Sequence, residues 1–158
     1  MRRFKFLSYL ISAMGLLTGC DLSYTVGEFW ICNESGQLLY VESDIASELT
    51  SEKRGFLLEE GEANKEPLAK SPRFEGEQAS CLSLSHCVNN EDAKVIIYTL
   101  GENGEKHLAR TWYYSDRDKS GRELFSEKCL AQGGYHLHDG GSFSSFTFVV
   151  LPEDLESN

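Results

Sequence analysis

Val95-Ile96-Ile97-Tyr98, inside the stretch Ala93 to Leu100, is apolar on both faces of an extended chain, and the turn sequence Gly101-Glu102-Asn103-Gly104 follows at once. Such a run suits the central strand of a sandwich, and the Asn-Gly pair supplies the positive backbone angles of a tight turn. Lys106 to Tyr114 then returns in a strand pattern, with Leu108, Trp112 and Tyr114 on one face and His107, Ala109 and Thr111 on the other. A hairpin this apolar needs a second layer to cover it, so an all-β architecture is expected.

The rest of the chain repeats the theme. Tyr24 to Cys32 is rich in aromatic and branched residues and stops at Asn33-Glu34-Ser35-Gly36; Gln37 to Ser43 resumes with Leu39 and Val41, predicting a first hairpin. Gly55 to Glu60 and Asn64 to Lys70 are weaker strands separated by Gly61. Lys70 to Asn90 reads as a long loop with a short strand at Cys81 to Leu84. Glu123 to Gln132 reads as a short helix stopped by Gly133-Gly134. Ser142 to Leu151 is the last strand, with Phe146, Phe148 and Val150 facing inward, and Pro152 ends it. The expected fold is an antiparallel β-sandwich of about seven strands with one short helix, Ig-like or transthyretin-like; a small β-barrel is the alternative.

Residues 1–19 read as a leader. Arg2, Arg3 and Lys5 precede an apolar stretch from Phe6 to Leu17 that is shorter than the roughly 20 residues a membrane-spanning helix needs. Leu17-Thr18-Gly19-Cys20 has the form of a lipoprotein signal, in which the Cys20 thiol receives the lipid, palmitate among its acyl chains, and the peptide is cut before it. The expected organisation is a signal peptide at 1–19, a lipidated tether at 20–23 and one sandwich domain at 24–158. The whole chain has 15 basic and 25 acidic residues, a net charge of −10. Residues 1–19 hold three of the basic residues and none of the acidic ones, so the remainder carries 12 and 25, a net −13. That surface repels phosphate backbones and excludes nucleic acid as a partner, while favouring cations and basic partners.

Cysteine usage fits export. Cys32, Cys81, Cys87 and Cys129 are even in number, and two disulfides are expected, Cys81 with Cys87 and Cys32 with Cys129.

Several segments together carry a resemblance. The lipobox, Asn33-Glu34-Ser35-Gly36 before Leu39 and Val41, Trp112-Tyr113-Tyr114 before Leu124-Phe125-Ser126-Glu127, and Phe146-Thr147-Phe148 with Leu151-Pro152-Glu153-Asp154-Leu155 resemble small uncharacterised lipoproteins of Bacteroidetes. The resemblance implies an envelope-anchored β-sandwich and brings no activity or functional residues with it. Surface-exported lipoproteins of that group often carry an acidic cluster after the lipidated Cys. Here Asp21-Leu22-Ser23-Tyr24-Thr25 supplies one acid, which favours a periplasm-facing location over the cell surface.

The sharpest local motif is Asp116-Arg117-Asp118-Lys119-Ser120-Gly121, with Glu127 after five more residues. It follows the calcium-loop template except for Ser120, which still offers an oxygen. In a calcium loop Asp116, Asp118 and Ser120 would alternate toward the ion, the Arg122 carbonyl would point inward and Glu127 would close the site. The competing reading is a polar turn, and no cofactor is required. His136 and His138 share one face of an extended segment, with Asp139 or His107 to complete a metal set. No nucleophile elbow, phosphate loop or Ser, His and Asp set is present, so no enzyme is expected. Among the aromatics Trp112 and Tyr114 suit a core, whereas Tyr113, on the opposite face, suits an exposed binding group. The sequence therefore predicts a non-catalytic, lipid-anchored envelope protein that presents a binding surface to another envelope protein or a glycan. The alternative is a barrel that carries a small apolar ligand or inhibits an envelope enzyme.

Overall fold

The computed structural model describes residues 24–45, 54–75, 82–88, 90–136 and 141–156. They hold nine strands: β1 (Tyr24–Asn33), β2 (Leu39–Ser43), β3 (Arg54–Leu58), β4 (Ala69–Lys70), β5 (Phe74–Glu75), β6 (Lys94–Leu100), β7 (Lys106–Tyr113), β8 (Ala131–His136) and β9 (Gly141–Val150). A four-residue helix, α1 (Pro152–Leu155), follows, with Pro152 in its first turn. One sheet has the order β4-β1-β9-β8, with β5 also on β1; the other has the order β3-β2-β6-β7. The sandwich expectation holds. Among the described residues neither sheet closes on itself, so the barrel alternative is not formed.

The predicted β6–β7 hairpin is present, and Gly104 takes the positive φ of +78° that its turn requires. The predicted first hairpin is not. β1 lies in the five-stranded sheet and runs parallel to β9, while β2 pairs with β3 and β6 in the other sheet. Asn33 makes the corner between them. Its buried side-chain amide donates to the carbonyls of Gln37 at 2.8 Å and Leu58 at 2.9 Å, and its oxygen accepts from the Ser35 N–H and hydroxyl. A turn whose bonds go to a third strand switches sheets instead of returning on itself.

Two further expectations change. The Glu123 to Gln132 segment forms one 3-10 turn at Glu127–Cys129 and then β8, whose Gly133 and Gly134 lie inside a strand paired with β9. A Cβ at Gly134 would come 2.6 Å from the Phe143 carbonyl, so these glycines permit close strand approach instead of stopping a helix. At Cys81 to Leu84 no strand forms within the described residues; Leu84 opens a 3-10 turn to His86.

The core fills the space between the sheets. Phe29 and Ile31 of β1 and Phe146, Phe148 and Val150 of β9 meet Leu39, Val41, Leu58, Val95, Ile97 and Trp112 of the other sheet. Trp112 and Phe148 pack edge to face with centroids 5.3 Å apart. Phe125, from the segment before β8, plugs one end against Phe29 and Tyr114. No helix among the described residues is long and apolar enough to cross a membrane.

Candidate binding surface

The outer face of the four-stranded sheet carries a row of apolar side chains that the core does not use. Leu57 of β3 stands opposite Tyr40 of β2, Tyr40 opposite Tyr98 of β6, and Tyr98 opposite Leu108 of β7. Directly opposed residues in a sheet share a face, so the four form one line across all four strands. Its ends are open, Leu57 at 59% and Leu108 at 63% exposure. Single exposed leucines are ordinary; a continuous row is not.

A register shift puts Leu108 there. Pairing between β6 and β7 slips between Ile97 and Tyr98, so that Arg110 opposes Ile97 while Leu108 opposes Tyr98. Ala109 is the extra residue of this bulge, and an extra residue reverses the facing of everything before it. Trp112 and Tyr114 are buried as expected, but Leu108 does not share their face.

The centre of the row is polar as well as aromatic. The Tyr40 and Tyr98 rings are 6.3 Å apart and tilted by 56°. The Lys106 ammonium sits 3.4 Å from the Tyr40 centroid and 5.6 Å from that of Tyr98, and donates to Glu42 Oε1 at 3.1 Å. The Tyr98 hydroxyl donates to the other Glu42 oxygen at 3.3 Å. Partial burial, then the Glu42 charge, push the Tyr98 phenol above its ordinary value. For Lys106 desolvation acts downward, but its bonds to Glu42 and Tyr40 hold the ammonium above its ordinary value. Beside this cluster lies a groove of about 330 Å³, lined by Tyr40, Gly55 and Ile96 and by the charged Glu42, Asp44, Arg54 and Lys94. The outer face of the other sheet is occupied differently: Glu28 is buried there, 2.9 Å from the Lys70 ammonium and 3.2 Å from the Trp30 indole nitrogen.

Three of the five expected calcium ligands have other partners within the chain. Asp116 pairs with Lys119 at 2.8 Å, the Arg122 carbonyl accepts from the Trp112 indole at 3.3 Å, and Glu127 accepts from the Leu84 N–H at 2.7 Å. Asp118 and Ser120 are exposed. Among the described residues no group of three or more His, Cys, Asp or Glu is arranged to hold a metal ion. His136 stands on β8 opposite Ser142, His107 pairs with Glu105 at 3.6 Å, and His138 lies outside the described residues. Tyr113 is exposed as expected, at the far end of β7 opposite Lys94.

The Cys32–Cys129 disulfide is not formed. Both are free thiols. Cys32 alternates with the core residues Ile31 and Asn33 and so projects outward from β1, whereas Cys129 lies in the turn before β8, its sulfur 3.6 Å from the Gly121 carbonyl. Cys81 and Cys20 lie outside the described residues; Cys87 is a buried free thiol.

In the sequence Tyr98 reads only as part of the apolar run of a central strand, and neither Tyr40 nor Leu57 stands out as a binding residue. Each occupies the outward phase of a strand whose inward phase carries the core, and only the register shows that they align. Comparison with protein-family models, curated proteins and solved structures finds no match for this chain.

Proposed function

We propose that this is a non-catalytic, lipid-anchored protein of the bacterial cell envelope, whose recognition surface is the outer face of the four-stranded sheet. The observation that carries the reading is the row Leu57–Tyr40–Tyr98–Leu108, an apolar line across a sheet whose other face is already covered by a filled core. Apolar area left in water at both ends of such a line is a cost that a partner recovers. The anchor rests on Leu17-Thr18-Gly19-Cys20 and the basic, apolar leader before it, and the single acid after Cys20 favours the periplasmic side. A thioether-linked lipid on Cys20 with further acylation would give the several chains that stable anchoring takes.

Photoreactive residues placed at Leu57, at Leu108 and, as a control, at Val149 on the outer face of the other sheet test the surface in intact envelopes. The expected result is one discrete crosslinked species from positions 57 and 108 and none from 149. Equal labelling from all three sites would reject the surface. For the anchor, Cys20→Ser should release the protein from the membrane fraction; retention there would reject it.

A further inference from the structure

The cluster at the middle of the row has the walls of an ammonium site. Tyr40 and Tyr98 present two ring faces, Glu42 presents a carboxylate, and a primary ammonium, that of Lys106, is held among the three. Ring quadrupoles and a carboxylate together favour a cation, most strongly where water is partly excluded. The same geometry disfavours a stacked sugar. The rings are tilted by 56° instead of forming one platform, one face of Tyr40 is taken by the cation, and its hydroxyl end lies over Gly55, where a Cβ would collide with it.

We propose that this cage recognises a lysine side chain of a protein partner and that Lys106 is its built-in competitor, displaced when the partner docks. The assignment rests on the outer face being the binding surface and names its partner class. The flanking leucines support a polypeptide over a free amine. Leu57 and Leu108 flank the cage one strand away on either side, roughly 5 Å from the nearer tyrosine. In an extended segment the residues two before and two after a lysine project to its own side, each about 7 Å along the chain. A segment of the form apolar-x-Lys-x-apolar, crossing the strands, therefore sets its lysine in the cage and its apolar residues on Leu57 and Leu108. The net charge of −13 from Cys20 onward, 12 basic against 25 acidic residues, attracts such a basic segment toward the protein.

The probe is the capped peptide Leu-Ser-Lys-Ser-Leu, titrated into the purified full-length protein while the ring signals of Tyr40 and Tyr98 are followed by NMR. Lys106 competes at an effective concentration on the order of millimolar, so Lys106→Ala should bind the peptide more tightly than the wild type, by about twofold or more. Replacing the peptide lysine by Gln should cost at least tenfold in that background, as should Glu42→Gln. Gly55→Ala, which drives Tyr40 out of place, should weaken binding without loss of the folded spectrum. The proposal is overturned if Lys106→Ala binds no better than the wild type, if the Gln peptide binds as well as the Lys peptide, or if a neutral chitin tetrasaccharide moves the two rings and the peptide does not. Failure here with crosslinks persisting at 57 and 108 removes the lysine site and leaves the surface; loss of both removes both.

Discussion

Leu108 and Trp112 lie four residues apart on β7 and project from opposite faces of the sheet, Trp112 into the core at 1% exposure and Leu108 into solvent at 63%. Regular alternation would put them together. The bulge at Ala109 separates them, and with that one residue the hairpin gains an outward apolar position at the end of the Leu57–Tyr40–Tyr98 line.

The two residues should accordingly respond differently to truncation. Trp112→Ala is expected to cost about 3–5 kcal/mol of folding stability, as for a large buried aromatic, whereas Leu108→Ala should change it by less than about 0.5 kcal/mol. Urea denaturation of the two variants measures both. A comparable loss at each position would mean that Leu108 is a core residue and that the bulge is misplaced.

Arg122 and Asp154 tie the loop that carries the calcium-like sequence to the turn after β9. The buried Asp154 carboxylate accepts from Arg122 Nε at 3.0 Å and Nη2 at 3.0 Å and caps the Leu151 N–H at 2.9 Å. Arg122 also donates to the Val149 carbonyl at 2.6 Å and lies over the Phe148 ring. Its bond to Asp154 holds its guanidinium above the ordinary value. Asp154→Ala leaves a partly exposed cation without its partner and a turn uncapped, and is expected to cost about 1–2 kcal/mol. With the Arg122 carbonyl and Glu127 already bonded, thermal midpoints in excess calcium and in chelator should coincide. A clear rise with calcium would show that the loop binds the ion.

Strand content and the apolar faces of β6 and β9 were legible in the sequence because period-two alternation is a local property. What depends on register was not. The pairing of β1 with β9 brings residues more than a hundred positions apart into line, and the sheet switch at Asn33 depends on a bond to Leu58, which no local pattern near Asn33 announces. Gly133-Gly134 illustrates the same limit: the pair stops a helix or admits a close neighbouring strand, and the distant Phe143 chooses between them. The candidate surface is a register property throughout, since Tyr40 and Tyr98 are each an unremarkable outward residue until the strands are paired.

Cys87 offers a pH test of the packing. Burial, opposed in part by a bond to the Ser71 backbone, raises its thiol from an ordinary value of 9.0 to about 12. Between these values the folded protein keeps a proton that the unfolded chain has released. The contribution is therefore fully present below about pH 9 and is lost as pH rises toward 12, at up to about 1.4 kcal/mol per pH unit. Denaturation curves for the wild type and Cys87→Ala, compared from pH 8 to 11, should show the wild type falling more steeply above pH 9. Parallel curves would show that Cys87 titrates normally and is not enclosed as described.

The surface itself is tested most directly by changing its two ends without touching the core. Leu57→Glu combined with Leu108→Glu places two charges where the side chains are more than half exposed, so the thermal midpoint should stay close to that of the wild type. In the same protein, a photoreactive residue at Tyr98 should lose the discrete crosslinked species that it yields in intact envelopes when both leucines are present. Persistence of that species at wild-type intensity, with the variant fully folded, would contradict the assignment of this face as the binding surface.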